Sequence, residues 1–263
     1  MLRRLALLAL FAAGCAHAQQ DRYPRVADAY LVKRDGMLLW AGRAGDRLPP
    51  ASLAKMMTAL LVLENGDLDR VIVLDRGVAL ETGRRLGLSP GEKWRVRDLF
   101  TAMVVRSAND ACRALADDAG PSAPKFVDRM NRRAAALGLR DTHFADPCGH
   151  DREQQYSSAQ DLARLAEEVI RYPDYLRLAG RRQAAIRSAD GTRSFAFDNT
   201  NALIGRYPGA IGVKTGYTEL AGTCLVALAE RDGVRVLVVM LNARNRWWQA
   251  VGLLDRAFDA RPQ

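Results

Sequence analysis

Histidine is scarce in this chain, with three residues among 263. His17, His143 and His150 offer no convincing partner for a nucleophile, so histidine-assisted serine or cysteine catalysis has little to work with. Cysteine is also sparse, at four residues. No C-x-x-C pair and no cluster with metal-ligand spacing occurs, so neither a redox couple, a metal centre nor any other cofactor is implied. No apolar run after the N-terminus approaches the roughly 20 residues needed to cross a bilayer. Aromatic residues make up only 7 %, and no nucleic-acid module signature is present. The formal charge of +9 comes from dispersed arginines, which reads as a solvated basic surface or a bias toward an anionic polymer such as a cell wall.

What the N-terminus does have is Arg3 and Arg4, an apolar run from Leu5 to Ala13, and small residues in Ala16-His17-Ala18. This is the pattern of an export signal cleaved after Ala18, which places the mature protein in the periplasm. Ala12-Ala13-Gly14-Cys15 offers a second reading, a lipidation site at Cys15. Residues 19–263 then suffice for one domain, expected to have a mostly helical subdomain over about 64–155 and no C-terminal β-rich domain. Cys112, Cys148 and Cys224 remain after cleavage. An odd number leaves two options open, one disulfide with one spare thiol or three buried thiols.

Periodicity sketches an α/β (α+β) architecture. Ala27 to Lys33 and Met37 to Ala41 flank Arg34-Asp35-Gly36, a hairpin signature. Ser52 to Leu63 reads as a helix burying Met56, Met57, Leu60 and Leu61 along one side. Val96 to Ala119 reads as two helices broken at Ser107-Ala108-Asn109, followed by helices over Lys125 to Leu137 and Ala159 to Ile170. Gly222 to Glu230 and Val234 to Leu241 read as buried strands around Arg231-Asp232-Gly233, and Arg246 to Phe258 as a closing helix. The expected result is an antiparallel sheet flanked by helices, with a helical insert.

Three strings carry chemistry: Ser52-Leu53-Ala54-Lys55, Ser107-Ala108-Asn109 and Lys214-Thr215-Gly216. On a helix, positions i and i+3 lie about 60° apart around the axis and about 4.5 Å apart along it, so Lys55 can reach the Ser52 hydroxyl. A lysine buried among Met and Leu, near the cationic Lys214, has its ammonium disfavoured and can act as a base. Ser107 can relay a proton and Asn109 can hydrogen-bond a peptide. Lys214 supplies positive charge, Thr215 a hydroxyl, and Gly216 room for a substrate against the strand. The backbone N–H groups of Ser52 and Tyr217 are candidates for an oxyanion hole. Arg244 or Arg246 could clamp a carboxylate. Arg106 and Asp110 read as surface or local ion-pair residues, and Trp247 and Trp248 as helix-packing residues.

With these motifs the chain resembles the D-alanyl-D-alanine carboxypeptidases, the low-molecular-mass penicillin-binding proteins that also include D-alanyl-D-alanine endopeptidases. Pro50 to Leu60 is similar to the first family motif, with Ala54 where Thr is commoner, and Ser107 to Ala111 to the second. Tyr207 to Thr218 with Ala221-Gly222 resembles the third, supported by Asn199-Thr200-Asn201 and by Tyr156 to Ala163. The resemblance implies the penicillin-binding-protein fold, a nucleophilic Ser52, Lys55 as base, and a relay through Ser107 and Lys214. It also implies substrate contacts by Asn109, Thr215, Gly216, Tyr217 and Arg246, peptidoglycan stem peptides as substrate, and acylation by β-lactams. Where the family has Asn/Asp-Pro-His-Gly-Leu, this chain has Asp146-Pro147-Cys148-Gly149-His150, which puts a thiol at the expected cleft rim. A β-lactamase would need a Glu-x-x-x-Asn pattern that is missing between Thr142 and Glu153. A non-catalytic wall-binding protein would be expected to have lost Ser52, Lys55 or Lys214, all of which are present.

Overall fold

The computed structural model describes residues 21–120 and 122–260. The leader read over residues 1–18, including the lipidation option at Cys15, lies outside them. The chain opens with β1 (Ala29–Arg34) and β2 (Met37–Gly42), the hairpin that Asp35-Gly36 promises. Both turn residues have positive φ, 49° and 80°, which the Asp-Gly pair accommodates. A 3-10 turn over Ala51–Ala54 leads into α1 (Lys55–Asn65), so Ser52 sits in the tighter turn and the α-helix itself begins at Lys55. Next come β3 (Val71–Val73), β4 (Lys93–Arg95) and α2 (Val96–Thr101).

A π-helical turn, Ala102–Arg106, joins α2 to the second string. Ser107 then takes a left-handed conformation with φ 61°, and α3 (Asn109–Ala119) starts afresh. The chain continues through α4 (Ala123–Ala136), α5 (Ala159–Val169), α6 (Pro173–Ala179), β5 (Gln183–Arg187) and β6 (Ser194–Asp198). It ends with β7 (Ala210–Thr218), β8 (Gly222–Arg231), β9 (Val234–Leu241) and α7 (Arg246–Asp259). No helix among the described residues is long and apolar enough to cross a membrane.

The main sheet runs β2-β1-β9-β8-β7, with every neighbouring pair antiparallel. Period-two alternation gives it two apolar faces. Leu31, Val226, Leu228, Leu237 and Val239 face the helical side, with Met56, Leu60 and Leu165 in the same core. Tyr30, Val32, Leu225, Val238 and Met240 face Ala250, Leu253 and Leu254 of α7. The sequence pattern suggests a one-sided α1, but Lys55 through Val62 are all buried. A helix covered on every side is the central one, packed by α3, α4 and α5 at once.

Trp247 is half-buried against the α7 core, as expected. Trp248 is 80 % exposed and packs on nothing comparable. Asp110 also departs from its surface reading, being fully buried. Its Oδ2 accepts the backbone N–H groups of Leu86 (2.9 Å), Gly87 (2.8 Å) and Leu88 (3.0 Å). One carboxylate thus pins the loop over residues 81–88 to the first turn of α3. Hydrogen bonds to a charged group contribute about 1.5–3 kcal/mol each, and losing the acceptor strands buried donors. Asp110→Ala is therefore expected to destabilise the fold by about 3 kcal/mol, read as a lowered urea midpoint. An unchanged midpoint would show that water replaces the carboxylate without cost.

Candidate active site

All three strings converge on one cleft of about 780 Å³, whose lining includes Ser52, Ser107, Asn109, Thr215, Gly216, Tyr217 and Arg246. The first comes from the turn ahead of α1, the second from the α2–α3 junction, and the third from β7, the edge strand of the sheet. Residues with left-handed backbone adjoin the first two contributions and the cleft arginine: Ala51 (φ 48°) before Ser52, Ser107 itself (61°), and Asn245 (53°) before Arg246. Each such conformation costs roughly 1–3 kcal/mol and persists because the surroundings hold it.

Lys55 is buried, and its Nζ donates toward Ser52 Oγ at 3.0 Å and Asn109 Oδ1 at 2.7 Å, with a third contact to the carbonyl oxygen of Cys148. Two of these partners can only accept. The third, a hydroxyl, can also donate, so a neutral amine that gives its two protons to Asn109 and Cys148 turns its lone pair on Ser52. Burial pulls the Lys55 amine down to about 7, against opposing pulls from Asp146 and Glu81. A base of that strength is half deprotonated near neutral pH.

Lys214 is equally buried, and its Nζ donates to Ser107 Oγ (2.7 Å) and to the Thr215 carbonyl (3.0 Å). Burial lowers it well below an ordinary lysine, and the neighbouring charges that add to this are all cations, Lys55, Arg84 and Arg246. Carboxylates support the charge on Lys55, whereas the charged neighbours of Lys214 are cations alone.

Asn109 is more occupied than a free substrate contact. Its Oδ1 takes Lys55, its Nδ2 donates to the Thr82 carbonyl (2.6 Å), and its backbone N–H donates to Arg84 O (2.8 Å). Thr215 Oγ1 faces the cleft and shares a hydrogen bond with Thr200 Oγ1 (2.8 Å). Asn201 Nδ2 donates to the Gly212 carbonyl (3.0 Å), so the Asn199-Thr200-Asn201 stretch braces β7. The space expected beside Gly216 is largely filled, since a Cβ there would lie 3.1 Å from Ala51 Cβ and 3.2 Å from Pro50 O. Gly216 thus lets β7 press against the turn that carries Ser52. Of the two arginine options, Arg244 is exposed and Arg246 lines the cleft. Arg246 Nη1 donates to the carbonyls of Gly216 (2.7 Å) and Cys224 (3.2 Å).

The residues 146–150 complete the wall beneath Lys55. Cys148 is not a rim thiol: it is buried and disulfide-bonded to Cys112, and Cys224 is the free cysteine among the described residues. Gly149 (φ +84°) lets this loop meet the nucleophile turn, because a Cβ there would fall 2.1 Å from Ala51 O. Asp146 Oδ1 accepts from the backbone of Cys148 (2.8 Å) and His150 (3.1 Å). Asp151 accepts from Thr218 Oγ1 at 2.6 Å.

Sequence reasoning missed Glu81, Arg84 and the place of His150, and named Thr200 only as part of a supporting stretch. His150 Nε2 lies 2.7 Å from Glu81 Oε2 in the cleft wall. Burial, then Asp146, pushes Glu81 up to about 7, while burial lowers His150. A change from apolar to ionisable side chain at position 150 was the available signal, but its partner is 69 residues away.

Comparison with known proteins agrees with this geometry. Residues 21–245 match the D-alanyl-D-alanine carboxypeptidase family. The chain is 35 % identical to the D-alanyl-D-alanine carboxypeptidase DacF of Bacillus subtilis, over 97 % of its own length and 69 % of that protein's. It is 32 % identical to DacC of Escherichia coli, over 91 % of this chain but 62 % of the relative. Among solved structures, a DD-transpeptidase of Streptomyces superposes with a TM-score of 0.85 at 28 % identity, covering 90 % of this chain and 98 % of that one. A D-alanyl-D-alanine carboxypeptidase of Mycobacterium tuberculosis does so with a TM-score of 0.85 at 30 % identity, covering 91 % and 93 %. The antiparallel sheet flanked by helices is thus the penicillin-binding-protein fold, and with the family match spanning β1 to β9, this chain belongs to the D-alanyl-D-alanine carboxypeptidase family of serine peptidases.

Proposed function

We propose that this protein is a serine D-alanyl-D-alanine carboxypeptidase that removes the terminal D-alanine from peptidoglycan stem pentapeptides. The observation that carries the reading is the aim of Lys55, a buried amine with two obligate acceptors and one reactive hydroxyl. Ser52 Oγ attacks the carbonyl carbon of the penultimate D-alanine as Lys55 takes the hydroxyl proton. Backbone N–H groups of Ser52 and Tyr217 stabilise the oxyanion. Collapse breaks the C–N bond, and the departing D-alanine amine receives a proton through Ser107 and Lys214. Water then attacks the ester on Ser52, releasing the shortened peptide and restoring the serine.

Carboxypeptidase action is favoured over cross-link cleavage by the cations beside Thr215. Arg246 and Arg84 both line the cleft, and neither has a carboxylate partner among the described residues. A free C-terminal carboxylate supplies the missing anion, whereas a cross-link made through a side-chain amine with no adjacent carboxyl group does not. Purified muropeptides are the direct test. Pentapeptide monomers should lose one D-alanine faster than cross-linked dimers are opened, and preferential opening of dimers would make the enzyme an endopeptidase.

Arg246→Leu should raise KM about tenfold or more for a peptide ending in a free carboxylate, while barely changing turnover of the same peptide ending in an amide. Equal losses on both peptides would mean that Arg246 serves only to hold Gly216 and Cys224.

A further inference from the structure

The Cys112–Cys148 bond stands between the two groups that orient Lys55. Cys112 lies on α3 three residues after Asn109, close to one helical turn along the same face, and Asn109 Oδ1 is one obligate acceptor of the Lys55 amine. Cys148 lies on the loop 146–150, and its own carbonyl is the other. The disulfide closes between them, with Cα atoms 5.8 Å apart and both residues buried. Other contacts tie that loop to α1 and to itself: Thr58 Oγ1 donates to the Pro147 carbonyl (2.6 Å), and Gln155 Oε1 accepts from the backbone of Ala145 (3.0 Å) and Asp146 (2.7 Å). Beside the indirect tie of His150 to Glu81 on the 81–88 loop, the covalent link is what fastens the loop directly to α3, and hence one acceptor of Lys55 to the other.

We propose that the Cys112–Cys148 disulfide is a positioning element for Lys55, so that acyl transfer in this cleft depends on the pair being oxidised. The inference rests on the reading of Lys55 as the base. Without the bond, the Cys148 carbonyl and the Asn109 amide move independently, the lone pair loses its aim at Ser52, and water gains access to an amine whose weakened basicity comes first from burial. The charged and titratable groups around Lys55 are Asp146 and His150 from the same loop, Glu81 and Arg84 from the 81–88 loop, and Lys214 from β7. None of them is altered by reduction itself, so a change in the Lys55 ionisation on reduction reports the loosened wall.

The experiment follows covalent labelling of the protein by a fluorescent penicillin from pH 5 to pH 9, before and after treatment with dithiothreitol. Reduction delivers two electrons and two protons to the two sulfurs while the dithiol closes into its cyclic disulfide, and mass analysis counts the thiols. Reduced protein should label about tenfold more slowly near neutral pH, with the rising limb of its pH profile moved upward, and reoxidation should restore both. Cys112→Ala/Cys148→Ala should show the same slow rate and displaced limb and ignore dithiothreitol, whereas Cys224→Ala should respond like the parent. Thermal midpoints identify the temperature at which every form is fully folded, and rates are compared there.

Identical rates and profiles in oxidised and reduced protein would overturn the proposal. So would a slower rate with an unmoved limb, which marks a merely structural bond, or a purified protein with both sulfurs already free. Lys55→Ala separates the two levels: if that variant still labels at the parental rate, the base assignment itself has failed, whatever the disulfide does.

Discussion

A penicillin should convert Ser52 into a long-lived ester, and Lys55→Ala should slow that conversion by about 100-fold or more. The magnitude follows from general-base catalysis, which contributes typically 10²- to 10⁴-fold, and from the absence of any second basic group hydrogen-bonded to Ser52 Oγ among the described residues. A β-lactam presents a strained amide in place of the peptide bond, so attack opens the ring and the leaving nitrogen stays tethered over the ester. Clearing that ester requires an activated water. Of the four carboxylates lining the cleft, Glu81 is engaged with His150, Asp146 with two backbone amides and Asp151 with Thr218, which leaves Glu219. Peptide mapping by mass spectrometry should place the adduct on Ser52. An adduct on another residue, or complete turnover within seconds, would refute the assignment.

Acylation should also fall about tenfold for each pH step of one below an ionisation near 7, so that the rate at pH 5 is on the order of a hundredth of its plateau. The sign follows from the base form being the one with the lone pair: protonating Lys55, whose amine burial holds at about 7, removes the acceptor for the Ser52 proton. Lys214 adds a second signature. Its proton is disfavoured by burial and by three cationic neighbours, so a carboxylate ligand entering the cleft reverses part of that penalty and draws a proton in. Binding of a non-hydrolysable peptide acid should therefore be accompanied by proton uptake, measured by calorimetry in buffers of different ionisation enthalpy. Lys214→Met should abolish the uptake. A labelling rate independent of pH between 5 and 9 would exclude Lys55 as the titrating base, and proton-neutral binding by the parent would exclude the coupling at Lys214.

The catalytic strings were legible because their spacing is local: two residues separate Ser52 from Lys55, and one separates Ser107 from Asn109. The β1–β2 hairpin and the β8–β9 pair were legible for the same reason, each being an alternating run about a turn that needs positive φ. What the sequence hid depends on partners far along the chain. Asp110 looks like any acid in a first helical turn, and only the three amides of Leu86, Gly87 and Leu88 make it an internal anchor. Cys112 and Cys148 could be paired or free until α3 and the 146–150 loop were seen side by side. The β5–β6 ribbon passed unremarked although Asp190-Gly191 sits between its strands, because the strands are only five residues long and Ala184-Ala185 and Ala196 blur in sequence an alternation that the burial shows plainly. Trp248 shows the limit of periodicity, since the α7 stripe is satisfied by Ala250, Leu253 and Leu254 without it.

The register of β1 against β9 governs when this molecule can exist at all. Ala29 pairs with Leu241 and Arg34 with Val236, so the first strand made waits for the last before the β1–β2 hairpin can join β7, β8 and β9 in one sheet. Contacts of such long sequence separation are slow to form, because loop-closure entropy must be overcome before they contribute stability. During synthesis the N-terminal hairpin therefore has no sheet to join until β9 appears, although β7 already has β8 to pair with. An emerging chain stays open and threadable until β9 appears, and peptidase activity arrives in one late step rather than accumulating as the protein lengthens.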